Sequence, residues 1–243
     1  MITSLILCSD SQTKDFIDNL TTNEKQVLKA AIAEDIPKFF NDRNELASQD
    51  AKELERFEKI SSIIRLLTPL NESIPANGIS YHGKPNWLTD DLFCNLQEEA
   101  KGGAQGFLDN VDHLLMCGGP IANKLSVDKD VINFVGKHVG HVRPTGIASY
   151  LRYNLLGSGI KPHIDTEVFS VNLMLMLHHR PPETGGNLSS TIIFPHGIES
   201  QKHQLSAGDV MLIHGSSIVH ARTPLTYGES IDLLTIGFNR IQD

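Results

Sequence analysis

Apolar positions recur every three or four residues through the first part of the chain and every two residues through the second. Val27, Leu28, Ala31 and Ile32 form one helical stripe. Leu54, Phe57, Ile60, Ile64 and Leu67 form another, with Glu53, Glu55, Arg56, Glu58 and Lys59 on its solvated side. Residues 11–68 therefore read as helical. Thr21-Thr-Asn-Glu24 fits a capping box, in which side chains and exposed amides satisfy each other. Pro37 ends or kinks the helix that follows. Residues 69–88 carry Pro69, Pro75, Gly78, Gly83 and Pro85 and read as a loop bearing Tyr81, His82 and Trp87. Thr89 caps a short helix through Leu92, Phe93 and Leu96; Gly102-Gly103 and Gly118-Gly119 break the next segment; Ser126 caps a helix through Val131, Ile132 and Val135.

From Gly140 onward the pattern is strand-like. The expected strands are 141–143, 147–153, 168–177, 189–194, 210–213, 218–222 and 231–238, separated by turns such as Gly157-Ser-Gly159 and Gly215-Ser-Ser217. Many short strands with close turns predict an antiparallel sandwich or jelly roll rather than βαβ units. The expected class is α+β. No linker is visible, so residues 1–243 read as one domain, with 1–139 a mainly helical support region and 140–243 the strand-rich core.

Composition narrows the function. Lys+Arg is 21 and Asp+Glu 29, a formal charge of −8, which opposes a phosphate-binding surface and so disfavours nucleic acid as a partner. No apolar run is long enough to span a bilayer, so no membrane association is expected. Residues 1–8 lack a basic leader and read as a first strand rather than a signal peptide. Cys8, Cys94 and Cys117 form neither a zinc motif nor a disulfide framework, which predicts a reducing, cytoplasmic setting.

The candidate chemistry lies in Tyr153-Asn-Leu-Leu-Gly-Ser-Gly-Ile-Lys-Pro-His163-Ile-Asp165. On an extended strand residues i and i+2 share a side, so His163 and Asp165 can present nitrogen and oxygen donors to one point. A third donor is available at His220 or His214; His220 is preferred because it opens a new strand, whereas His214 ends the preceding one. Two histidines and one carboxylate form the facial triad of non-haem Fe(II) sites, with positions left open for substrate and oxygen. Lys161 and Glu167, beside the triad, read as exposed turn residues.

With these residues in place, residues 147–240 resemble the core of the Fe(II)/2-oxoglutarate-dependent dioxygenases, in particular their prolyl-hydroxylase-like branch. The matching pieces are Arg152-Tyr153-Asn154, His163-Ile-Asp165, Gly185-Gly186-Asn187-Leu188, Gly208-Asp209-Val210-Met211-Leu212 and His220-Ala-Arg222-Thr-Pro224. The first 140 residues carry no matching motif. The resemblance implies a double-stranded β-helix as the catalytic core, His163, Asp165 and His220 as iron ligands, and 2-oxoglutarate and O2 as cosubstrates. It further implies oxidation of a substrate with release of succinate and CO2. With Asp165 present, hydroxylation is favoured over halogenation. Length, absence of partner domains and acidic charge favour a small molecule or amino acid as substrate. The alternatives are a protein or peptide side-chain hydroxylase and a non-catalytic cupin-like binder of metal or small ligand.

One departure bears on the cosubstrate. The family's cation for the distal carboxylate of 2-oxoglutarate begins the last strand, about ten residues after the final histidine; here Ser230 stands there, beside Glu229. Arg222, two residues after His220 and on the same face, is the expected substitute, since its fork can grip a carboxylate through two hydrogen bonds. Tyr153 matches the position whose phenol donates to the cosubstrate. Asn172 and Ser230 are further candidate contacts.

Overall fold

Capping residues set the helix starts in this computed structural model, which describes residues 8–48, 50–103, 106–110, 112–182, 185 and 188–241. Residues 1–7 of the expected first strand, and Gly186 and Asn187, lie outside the described residues. Capping boxes at Ser9 and Thr21 open α1 (Asp10–Asp18) and α2 (Thr22–Ala33); Thr21 N donates to Glu24 Oε2 (2.8 Å). Pro37 sits in a 3-10 turn, Ile36–Phe39, ahead of α3 (Ala51–Leu66). Thr89 caps α4 (Asp90–Gly102) as the sequence predicts. After α5 (Pro120–Leu125), the cap of α6 (Lys129–Val139) is Asp128 and not Ser126. Ser126 instead ends α5, its hydroxyl donating to Asn123 O (2.8 Å).

Eleven strands are described: β1 (Ile79–Gly83), β2 (Leu108–Asn110), β3 (His113–Cys117), β4 (Val142–Tyr153), β5 (Ile160–His163), β6 (Val171–Arg180), β7 (Thr191–Phe194), β8 (Gln201–His203), β9 (Val210–Ile213), β10 (Val219–Arg222) and β11 (Ser230–Arg240). They form a large sheet in the order β1-β9-β6-β11-β4-β3-β2 and a small one in the order β5-β10-β7-β8, with every pairing antiparallel. The stretch read as a loop thus supplies β1, and the glycine-broken segment supplies the β2–β3 hairpin. Val168 and Phe169, expected to begin a strand, lie instead in a 3-10 turn, Glu167–Phe169. Gly146, at φ +72°, lies in β4 where its pairing with β11 slips, between Ile236 and Phe238.

Alternation along β6 shows how the layers stack. Leu173, Leu175 and Leu177 face α4–α6, packing with Leu96, Val131 and Val135. Met174 and Met176 face the other way, toward Met211, Ile193 and Leu233, in the space between the two sheets. Outside the small sheet, Ile32, Phe57, Ile60 and Ile64 of α2 and α3 cover Ile192, Phe194, Val219 and Ala221. Each such side chain removed from water contributes about 1.5–3 kcal/mol before ordering costs. The space between the sheets is lined by polar groups as well as apolar ones, and the site lies there.

Candidate metal centre and cosubstrate pocket

Antiparallel pairing places His163 of β5 directly opposite His220 of β10, with ring centroids 4.4 Å apart. Asp165 follows β5 by two residues, its backbone N–H donating to Gly215 O (2.9 Å). Its Oδ1 lies 3.5 Å from His163 Nε2 and 3.6 Å from His220 Nε2. One donor atom from each of the three residues falls within 4.8 Å of the others.

The second nitrogen of each ring settles which atom is free. His163 Nδ1 lies 2.7 Å from the Lys161 carbonyl, and His220 Nδ1 2.9 Å from the Ile218 carbonyl. A carbonyl only accepts, so each Nδ1 carries its proton and each Nε2 keeps a lone pair toward the centre. Asn172 Nδ2 donates to the outer oxygen of Asp165 (2.9 Å), holding the carboxylate plane. Gly215 is required beside it, because a Cβ there would collide with that oxygen. Burial alone would raise the Asp165 carboxyl, but the two imidazoles outweigh it and hold it well below the usual carboxylate range. Burial lowers His220, and the Asp165 carboxylate more than reverses this. Two imidazole lone pairs and one ionised carboxylate on one face are the donor chemistry a borderline divalent metal takes.

A cavity of about 260 Å³ opens from these residues between the sheets. Its lining includes Tyr153, Asn172, Thr191 and Arg222, together with Asn110, His113, Ser149 and Thr235. Arg222 is only 3% exposed; its Nη2 donates to Thr191 Oγ1 (3.0 Å) and its Cζ lies 5.4 Å from the Tyr153 ring. Among the described residues no carboxylate approaches it within ion-pair distance. A buried guanidinium without an anion is costly, so its environment suits an acidic ligand. Tyr153 is buried, which pushes its phenol up to about 12 and keeps it a protonated donor.

The sequence candidates do not all converge. Ser230 opens β11, but β11 meets the cavity through Leu233 and Thr235, and Ser230 has the opposite parity and does not line it. Glu229, next to the family's cation position, is fully buried and knits turns together. It accepts from Ser189 N (2.7 Å) and Thr226 N (3.0 Å) and pairs with His179 (2.7 Å). His214 stands apart, bonded to Ser80 of β1 (2.8 Å), and burial beside Arg240 and Arg65 pushes it down to about 4. Glu167 is engaged by Lys29 of α2 (2.6 Å). Sequence reasoning passed over Asn110, His113 and Thr191. The only local trace of the β2–β3 hairpin is the short apolar run from His113 to Cys117.

Among solved structures, three similar ones share this architecture. The non-haem α-ketoglutarate-dependent epimerase SnoN from nogalamycin biosynthesis is 14% identical, with 67% of this chain and 78% of that one covered at a TM-score of 0.55. A prolyl-4-hydroxylase from Pseudomonas putida is 13% identical, with 70% and 97% covered at 0.53. The fold is that of the Fe(II)/2-oxoglutarate oxygenases. A prolyl hydroxylase from Trichoplax adhaerens, in complex with a hypoxia inducible factor oxygen degradation domain peptide, extends the oxygenase likeness to 79% of this chain and 94% of that one, at 15% identity and 0.54. No known protein family matches the sequence, and no curated protein matches it. No helix among the described residues is long and apolar enough to cross a membrane.

Proposed function

We propose that this chain is a non-haem Fe(II)/2-oxoglutarate-dependent oxygenase that hydroxylates a small molecule or amino acid. The convergence of His163 Nε2, Asp165 Oδ1 and His220 Nε2 carries the proposal. In this reading β4 to β11, within residues 140–243, form a double-stranded β-helix core, and residues 1–139 support it and add β1, β2 and β3 to the large sheet. SnoN has been crystallised with Fe3+ and α-ketoglutarate, which supports the same cofactor pair here. The exposed, free Cys94 and Cys117 suit a reducing, cytoplasmic setting.

His163, Asp165 and His220 would hold the metal. Arg222 grips the distal carboxylate of 2-oxoglutarate, and Tyr153 donates its phenolic proton to the same end. Asn172 keeps the Asp165 carboxylate in plane. When bound, iron with 2-oxoglutarate and O2 supplies the oxidising chemistry, one oxygen atom entering a substrate C–H bond and the other entering succinate as CO2 leaves. Leu115, Leu151 and Leu233 line the same cavity and limit water around the reacting carbon.

A peptide substrate is the second reading, favoured by the likeness to the peptide-bound hydroxylase. The modest volume of the cavity, about 260 Å³, favours the small-molecule reading. Succinate measured after incubation with Fe(II), ascorbate and 2-oxoglutarate tests the proposal. Turnover is expected in the wild type and loss in His220→Ala; no 2-oxoglutarate consumption under any substrate set would count against it.

A further inference from the structure

β5 is an edge strand of the small sheet, and its grip on β10 is short. Only two pairs register, His163 with His220 and Ile160 with Arg222, and the register slips between them. The geometry of the proposed metal centre therefore hangs on a weakly paired strand. Asn44, from the loop between the Ile36–Phe39 turn and α3, lies across the slipped end. Its single amide nitrogen donates to both carbonyls of the second pair, Ile160 O (3.0 Å) and Arg222 O (2.7 Å).

We infer that Asn44 is a positioning residue, a clip from the helical layer that fixes β5 against β10 and thereby sets the His163–His220 spacing and the root of Arg222. This rests on the metal reading above. Three features fit a built clip. Asn44 is 5% exposed and sits at φ +59°, a left-handed conformation that asparagine tolerates better than most residues. Its loop is also held by contacts that do not involve its side chain. Asn41 Oδ1 accepts from Arg43 N (2.8 Å) and Glu45 N (3.1 Å), Phe40 bridges to Leu46, and the Phe40 ring packs edge-on against Phe194 of β7 (4.7 Å). From the other side, Gly159 brings its backbone so close that a Cβ would lie 2.8 Å from the same Arg222 carbonyl. An amide offers two N–H donors and the two carbonyls need two, so neither serine nor aspartate can replace it.

Asn44→Gly keeps the left-handed backbone and removes the amide; Asn44→Asp keeps the shape and removes the donors. Co(II) titrated calorimetrically into the metal-free full chain reads the site without turnover. Both variants are expected to bind Co(II) about 10–100-fold more weakly than wild type, the range seen when groups that orient metal ligands are removed. The visible spectrum of the bound Co(II) is expected to change as well. Ile17→Val, which thins the same helical layer from α1, outside the loop that carries Asn44, is expected to stay within twofold. If Asn44→Gly does not fold, Asn44→Asp decides. Wild-type affinity and spectrum in a folded Asn44 variant would overturn the inference while leaving the metal site intact. Failure of wild type itself to bind metal would overturn the oxygenase reading and the clip with it.

Discussion

Replacing Arg222 by methionine removes the guanidinium from the cavity that opens from the metal centre. Among the described residues lining the cavity it is the only lysine or arginine, and it is 3% exposed. Breaking a buried charge pair from one side costs about 3–5 kcal/mol. At about 1.4 kcal/mol per decade, 2-oxoglutarate should bind on the order of 10²–10³-fold more weakly. Arg222→Lys keeps the charge but loses the fork, so it should fall between the two. The metal-free, ligand-free protein should behave oppositely. Arg222→Met removes a desolvated guanidinium that has no carboxylate within ion-pair distance among the described residues, so its own stability should equal or exceed that of wild type. Thermal unfolding separates the two effects. At 100 times Kd, 2-oxoglutarate should stabilise the metal-loaded wild type by about 2.7 kcal/mol, or roughly 5–10 °C for a chain of this size. Arg222→Met should show almost no shift at that concentration. An affinity within threefold of wild type, with the thermal shift kept, would refute the assignment of Arg222 to the distal carboxylate.

Asn172→Ala leaves the outer oxygen of Asp165 without its donor; metal affinity measured by titration should fall about 10–100-fold. His214, pushed down to about 4 by burial, is neutral when folded but titrates near 6.5 when unfolded. The unfolded state therefore takes up more protons as pH falls, and stability present above pH 6.5 is lost toward pH 4. The full effect is about 3 kcal/mol, of which about 2 kcal/mol falls between pH 7 and 5. Urea unfolding at those two values should show this loss reduced in His214→Asn. Lys29 is buried while its partner Glu167 is 44% exposed. Lys29→Met lets Glu167 rehydrate and should stay within about 1 kcal/mol of wild type in urea unfolding. Glu167→Ala strands the buried ammonium and should cost more.

The chemistry was more legible than the framework that holds it. His163 and Asp165 announce themselves by strand parity, and His220 and Arg222 by the same rule two residues apart, because side-chain alternation is a local property of the chain. Thr21 and Thr89 were readable as caps for the same reason. The strands β1, β2, β3, β5 and β8 were not. All are short, and β1 and β3 take their place from partners far away in sequence: Ile79 pairs with Ile213, and Leu115 with Leu151. β5 also contains Pro162, which fits an edge but hides a strand from pattern reading. Ser230 failed because counting residues from His220 gives a position along the strand but not the face that meets the cavity. Asn44 lies 116 residues from Ile160 and 178 from Arg222, and nothing in its surroundings signals either carbonyl.

The iron centre itself is tested most directly by optical titration without oxygen. Adding 2-oxoglutarate to Fe(II)-loaded wild-type protein should produce the visible charge-transfer absorption of an Fe(II)–2-oxo acid chelate, saturating at one equivalent per chain, and His220→Ala should abolish it. Absence of that band in folded wild type, or its persistence unchanged in His220→Ala, would contradict a metal held by His163, Asp165 and His220.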